Sequence, residues 1–345
     1  VTGTASLLTA GTVSGSGTYN VNQHLTGSGA PAAPNGRMWY ITSPVSGATS
    51  AVFDALSPSN KLWSYAEPTF AYTEITNNTT PLIVGDAYVA RMGASGNVNF
   101  TGGAINSGVY SKNLSRTGNT NEKRGYHLVG NPYPSYLDWN SVTKTNLNTS
   151  VWYRSSNPGN TAMVFDTYNA TSGLGTGNNG VLVSRYLPPM QGFWVKVEGD
   201  GNTGVLGFDN SMRSHQNNNF IKTNNGNNTV RLAIDNGSNS DQTIVNFNLS
   251  AGTGLTSWDS EKMFNNNALI PELYSREANT NLVINSMPEI TNGLIVPLYM
   301  NIGTAGQHSI TADLTDFDAT TDVYLQDLMT AVTHDLRTGP YIFNT

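Results

Sequence analysis

The chain has 345 residues, of which 12% are charged, with a net charge of −6 and no cysteine. The 17 basic residues are scattered and make no phosphate track, which argues against a nucleic-acid partner. The lack of cysteine removes disulfides, thiolate chemistry and cysteine-ligated zinc, and no run approaches the ~18 apolar residues that membrane insertion by a helix needs.

Residues 1–36 contain no Lys, Arg, Asp or Glu; the first charge is Arg37. An exposed arm ordinarily carries charge for solubility. This one, rich in Thr, Val, Leu, Gly and Ser, reads as strand-forming, with Leu7, Leu8, Val13, Tyr19 and Val21 as the residues for pairing with a neighbour. From residue 37 onward period-2 patterns dominate. Strands are predicted over 38–43, 61–65, 87–92, 97–101, 126–130, 151–154, 163–168, 192–197 and 204–208. Two short helical turns are expected, at 136–142 and 257–264. The Trp and Tyr of Trp63, Tyr65, Tyr72 and of Trp152, Tyr153 would stack on sugar rings if exposed and are core aromatics otherwise.

In Gly130-Asn131-Pro132-Tyr133-Pro134, two prolines fix φ and remove ladder donors, and Gly130 and Asn131 favour a tight bend. The expectation is a rigid corner from which Tyr133, Leu137 and Trp139 plug the core. Gln191-Gly192 is read as a second bend, delivering Phe193 or Trp194 inward. Gly175, Gly177 and Gly180 have the spacing of a dinucleotide fingerprint, but they lie in an Asn/Gly run followed by a strand, so they are read as a loop.

Beyond an Asn-rich linker at 217–228, clean alternation returns: Val230, Leu232, Ile234; Val245, Phe247, Leu249; Ile310, Ala312, Leu314. Such alternation means one buried and one wetter face. Asp313, Asp316, Asp318 and Asp322 could offer calcium several oxygens, but the spacing is not an EF-hand, and turn acids without metal are the simpler reading. Calcium is the one cofactor considered. No two His have the i, i+4 spacing of a helical metal site, and no nucleophile elbow is present. No catalytic residue is nominated, and the protein is read as not an enzyme. A hydrolase would need two carboxylates facing each other in a pocket. The fold class expected is all-β. It comprises the arm 1–36, a large jelly-roll-like antiparallel sandwich over 37–216, the linker, and a smaller Ig-like sandwich over 229–345.

Residues 125–135, continuing through Leu137-Asp138-Trp139-Asn140, resemble a signature of large secreted proteins of Bacteroidota exported by the type IX secretion system. Residues 37–46, 188–196 and 208–213 fit the same pattern, as does Val230-Arg231-Leu232. The resemblance implies an extracellular protein of the outer cell surface, adhesin-like, and carries no catalytic residue. Related chains continue past the strand matched by Tyr341 and Phe343. Processing is one explanation and disorder or truncation another; the third, taken with the uncharged arm, is a last sandwich that lacks a strand, with an open edge at Tyr341 and Phe343 filled by a neighbour's arm to give a head-to-tail fibre of donated strands. The function expected is therefore that of a non-enzymatic structural or adhesive surface protein, with copies of itself or other surface proteins as partners. The alternative is a carbohydrate-binding module that meets a surface polysaccharide.

Overall fold

A computed structural model of the chain describes residues 6–27, 37–56, 61–118, 120–156, 162–178, 180–215 and 228–345. The linker at 217–228 lies outside these residues except for Asn228, as do 1–5 and 28–36 of the arm. In order the strands are β1 (Tyr19–Leu25), β2 (Arg37–Ile41), β3 (Val45–Ser46), β4 (Lys61–Ala66), β5 (Ala71–Ile75), β6 (Tyr88–Met92), β7 (Gly96–Gly102), β8 (Ala104–Ile105), β9 (Tyr110–Ser115) and β10 (Tyr126–Gly130). Past the proline corner come β11 (Tyr136–Asp138), β12 (Thr143–Thr145), β13 (Ser150–Ser156), β14 (Met163–Asn169), β15 (Tyr186–Leu187), β16 (Gly192–Lys196), β17 (Thr203–Phe208) and β18 (Arg213–Ser214). The rest holds β19 (Asn228–Asp235), β20 (Ser240–Phe247), β21 (Ser260–Glu261), β22 (Glu272–Glu277), β23 (Thr280–Met287), β24 (Leu298–Asn301), β25 (Gln307–Asp313), β26 (Tyr324–Asp327), β27 (Val332–Asp335) and β28 (Tyr341–Asn344).

The protein is all-β; among the described residues only three short 3-10 segments are helical. The two helical turns expected from sequence hold short strands instead, β11 and β21. At β11 the reason is visible, because the segment is the middle strand of a small sheet, Leu137 standing opposite both Leu187 and Arg213.

Compactness divides the chain differently from composition. One unit is Val1–Val151 with Arg185–Asn219; the other is Trp152–Ser184 with Phe220–Thr345. Residues 152–184 belong to the second unit for concrete reasons. Leu174 packs with Ile244, Val283 and Ile284, and Val164 packs with Ile270. The Asn169 amide donates to the carbonyls of Ser257 and Asp259, and the Trp152 indole donates to the Glu261 carbonyl at 2.9 Å.

In the first unit the strand orders are β2-β6-β4-β5, β12-β17-β9 and β15-β11-β18, with β10 beside β16 and β1 beside β7. Its core includes Leu25, Leu62, Met92, Val98 and Phe100. The second unit is organised on one large sheet, ordered β24-β22-β23-β20-β19-β25-β28, with β21 alongside β23. Val230, Leu232, Ile234, Val245 and Ile310 face its core, and Val323, Leu325 and Leu336 around the β26–β27 hairpin pack against it. Burying an aliphatic side chain such as Ile234 stabilises by about 1.5–3 kcal/mol. Among the described residues, the strand pairs of defined register are antiparallel except β20 and β23, which run parallel.

Candidate functional site

The proline corner is the most densely bonded part of the first unit. Asn131 is fully buried; its amide nitrogen donates to the carbonyls of Ser135, Leu187 and Pro188, and its side-chain oxygen accepts from the Tyr133 amide at 3.1 Å. Its backbone N–H donates to the Gln191 carbonyl, tying both expected bends together. The Tyr133 ring is fully buried and its hydroxyl donates to the Gly108 carbonyl at 2.6 Å; burial pushes that hydroxyl well above the usual phenol range. Pro132 accepts from the Asn106 amide. Trp139 is sealed in against Phe193, with its indole on the Thr149 carbonyl and the Lys144 ammonium over its ring. Gly130 and Gly192 serve clearance. A Cβ on Gly130 would meet Thr42 at 2.4 Å, and one on Gly192 would meet the Tyr40 backbone at 2.9 Å. The left-handed residue at the second bend is Met190, with φ of 58°.

The arm seats on this corner. Leu7 donates its N–H to the Pro134 carbonyl at 2.7 Å. The Arg213 guanidinium donates to the Leu7 carbonyl, the Thr9 hydroxyl and, from Nε, the Ser135 hydroxyl. Val13 donates to the Ser107 hydroxyl. From Tyr19 to Leu25 the arm pairs with β7 over its whole length, Tyr19 opposite Gly102 and Val21 opposite Phe100. Tyr19 and Val21 pack on the core, and Leu8 is half-buried. The arm residues nominated for pairing thus lie against their own chain. Arg213, whose rigid fork of donors suits several acceptors at once, is the residue that sequence reasoning missed here.

The acidic run of the second unit is bonded within its own turns. Asp313 accepts from the Thr315 amide, and Asp318 from the Thr320 amide and the Thr321 hydroxyl; these bonds, the Thr321 hydroxyl first, hold the Asp318 carboxyl below the usual range. The Asp316 carbonyl accepts from Thr229, and Asp322 is exposed. Among the described residues no three His, Asp or Glu side chains are grouped to hold a metal.

Of the nominated aromatics, Trp152 and Tyr153 are buried. Tyr65 sits edge-on to Trp194 at 4.6 Å and to Tyr72 at 5.2 Å, and the Arg91 guanidinium lies over Trp63. Burial, with Glu67 adding to it, pushes the Tyr65 hydroxyl up to about 12. Only Tyr72 of these rings is largely exposed.

Buried ionisable groups exist, and each is tied to structure. In the second unit Lys262 and Asp241 form a fully buried ion pair, and Asp241 also accepts from the Leu273 amide at 2.8 Å. Beside them Glu272 accepts from the Asn265 amide; burial raises its carboxyl while Lys262 pulls it down. Asp166 accepts from the Thr176 hydroxyl and from both nitrogens of Asn178. A cleft of about 360 Å³ in this unit is lined by residues such as Asn236, Thr304, Gln307 and His308, with no Asp or Glu among them.

The sheet edges differ by unit. In the first unit the outer strands β2, β5, β9 and β12 of two sheets carry Arg37, Glu74, Lys112 and Lys144, while the outer strands β1, β7, β10 and β15 are uncharged. In the second, the outer strands of the large sheet are β24 and β28, which carry no charge. Tyr341 and Phe343 lie on β28. Phe343 stacks on His308 and packs on the core, and the Tyr341 hydroxyl donates to Asp327 at 2.7 Å. Among the described residues no helix is long and apolar enough to cross a membrane.

The signature of one family, described as a domain of unknown function, DUF8693, matches residues 1–345. The chain belongs to that family. No curated protein and no solved structure matches the chain.

Proposed function

We propose that the protein is a non-enzymatic structural or adhesive module of the bacterial cell surface that works by joining copies of itself through exposed β structure. The observation that carries this reading is the uneven surface. Among the described residues the first unit exposes four large apolar side chains, Leu7, Tyr72, Ile83 and Val109, whereas the second exposes fourteen. Several of the fourteen flank the uncharged outer strands β24 and β28. Exposed apolar surface of this kind marks an interaction site more often than it serves a free monomer. The arm, already paired along β7, supports a role in completing its own sandwich, so assembly falls to the sheet edges. The likeness to type IX secretion cargo supports an extracellular setting. A carbohydrate-binding role draws less support, because Tyr72 alone among the nominated rings is largely exposed.

Light scattering coupled to size-exclusion chromatography over a wide concentration range, with negative-stain imaging of the same samples, tests the reading. Concentration-dependent oligomers or filaments are expected. A monomer at every concentration would overturn self-assembly.

A further inference from the structure

We infer that the contact joining copies is one edge of the large sheet against the other: β28 of one molecule pairs antiparallel with β24 of the next. This rests on the self-assembly reading and names its interface.

Three observations carry it. First, both strands are outermost in the same sheet and of equal length, four residues each. Second, neither edge is defended. Natural edges are blunted by charged side chains, especially Lys, yet residues 290–312 and 338–345 contain no Asp, Glu, Lys or Arg. Neither strand brings a charge of its own to the pairing, although Arg276 of β22 lies over Tyr299 of β24 and Tyr341 of β28 donates to Asp327. Apolar side chains stand beside each: Ile295 (81% exposed) and Met300 (48%) at β24, Ile342 (56%) and Met329 (94%) at and beside β28. Third, the strand directions match. From β24 to β28 the sheet takes six steps, antiparallel at all but the β23–β20 step. Five reversals leave β24 and β28 running opposite ways. A second copy laid alongside in the same orientation therefore presents its β24 antiparallel to β28, the more stable form of pairing.

A contact between two different patches does not close on itself unless the rotation per copy happens to form a ring, so it propagates as a filament. It also leaves no open edge inside the assembly. A two-fold contact of β24 with β24 would leave every β28 uncovered.

The test uses the full chain and two edge substitutions, Met300→Lys and Ile342→Lys, each on an exposed side chain and each checked for an unchanged melting temperature. Each variant alone is expected to raise the concentration for half-assembly by about tenfold or more, since a defended edge resists pairing. The mixture is decisive. Met300→Lys keeps a working β28 and Ile342→Lys a working β24, so together they form a heterodimer that stops at two. If Ile342→Lys alone still dimerises, the contact is a two-fold one and the inference fails. If the unaltered chain assembles and both variants assemble as well, the interface lies elsewhere, with removal of residues 1–30 as the check on arm donation; the inference falls while the self-assembly reading stands. If the unaltered chain stays monomeric throughout, both fall.

Discussion

In the first unit the outer strands of two sheets carry charge, Arg37 on β2, Glu74 on β5, Lys112 on β9 and Lys144 on β12, whereas the outer strands β1, β7, β10 and β15 carry none. In the second, β24 and β28 carry none. The interiors differ as well. The first unit is packed with fully buried aromatic rings, Phe100, Tyr133, Trp139 and Phe193, and the Tyr133 hydroxyl and Trp139 indole N–H reach backbone carbonyls. The second buries Lys262 against Asp241 with Glu272 beside them. Both units bury charged side chains, Glu67, Arg91, Lys196 and Arg213 in the first and Asp166, Asp241, Lys262 and Glu272 in the second, where Lys262 and Asp241 are paired out of reach of water. Charge outside prevents sheet-to-sheet pairing. Charge inside adds little net stability but fixes which partners can meet. A unit that presents undefended edges gains from an interior that resists rearrangement.

The largest effect that would break this contrast comes from Lys262→Met. It leaves Asp241 and Glu272 buried without their cation, and the expected loss is about 3–5 kcal/mol, read as a shift in the denaturant midpoint. A loss below about 1 kcal/mol would mean the pair does not hold the second unit. In the first unit the comparable element is Asn131. Removing its amide by Asn131→Ala leaves three carbonyls and the Tyr133 amide short of partners, and a loss of about 2–4 kcal/mol is expected by the same measurement.

Much of this architecture was legible in the sequence, and the reasons are local. Val230, Leu232 and Ile234 alternate and are all buried; Tyr133 and Trp139 follow fixed prolines and are both fully buried. Where the local signal stopped, so did the reading. Leu249 continues the spacing of Val245 and Phe247 yet is exposed, because β20 ends at Phe247 and Asn248 turns the chain by accepting from the Ser250 amide. Gly130 looked like a bend residue; its real constraint is Thr42, nearly ninety positions earlier. Lys262 finds Asp241 across 21 residues, and Arg213 finds Leu7 across 206. The uncharged segments could be read directly, but that two of them bound the same sheet depends on strand order, which no spacing encodes.

Glu67 sharpens the comparison at intermediate cost. It is an almost fully buried acid in the first unit. Burial alone would raise its carboxyl, but the amides of Thr117 and Gly125 and the Thr117 hydroxyl outweigh that and lower it below the usual range. A lowered folded value means stability that is present above the ordinary glutamate range and lost as the pH falls through the folded one. Glu67→Gln should cost about 1–3 kcal/mol at neutral pH. The difference from the unaltered chain should shrink on acidification. A penalty independent of pH would show that the carboxylate charge contributes nothing there.

The smallest change in stability belongs to the most direct test of edge charge. Glu74 is the only charged residue of β5 and pairs with Lys61 at 2.8 Å on the surface. Such exposed pairs contribute about 0–1 kcal/mol, so Glu74→Val should barely move the melting temperature. It does strip β5 of its charge, beside the exposed ring of Tyr72. In a chain whose large sheet is already blocked by Met300→Lys and Ile342→Lys, the added Glu74→Val should create a new, weak association through the first unit, visible by sedimentation velocity at high concentration. If the triple variant stays as monomeric as the double, edge charge is not what separates the two units, and strand length or twist must account for the difference. If it associates, the identity of one residue decides whether an outer strand of this protein stays alone.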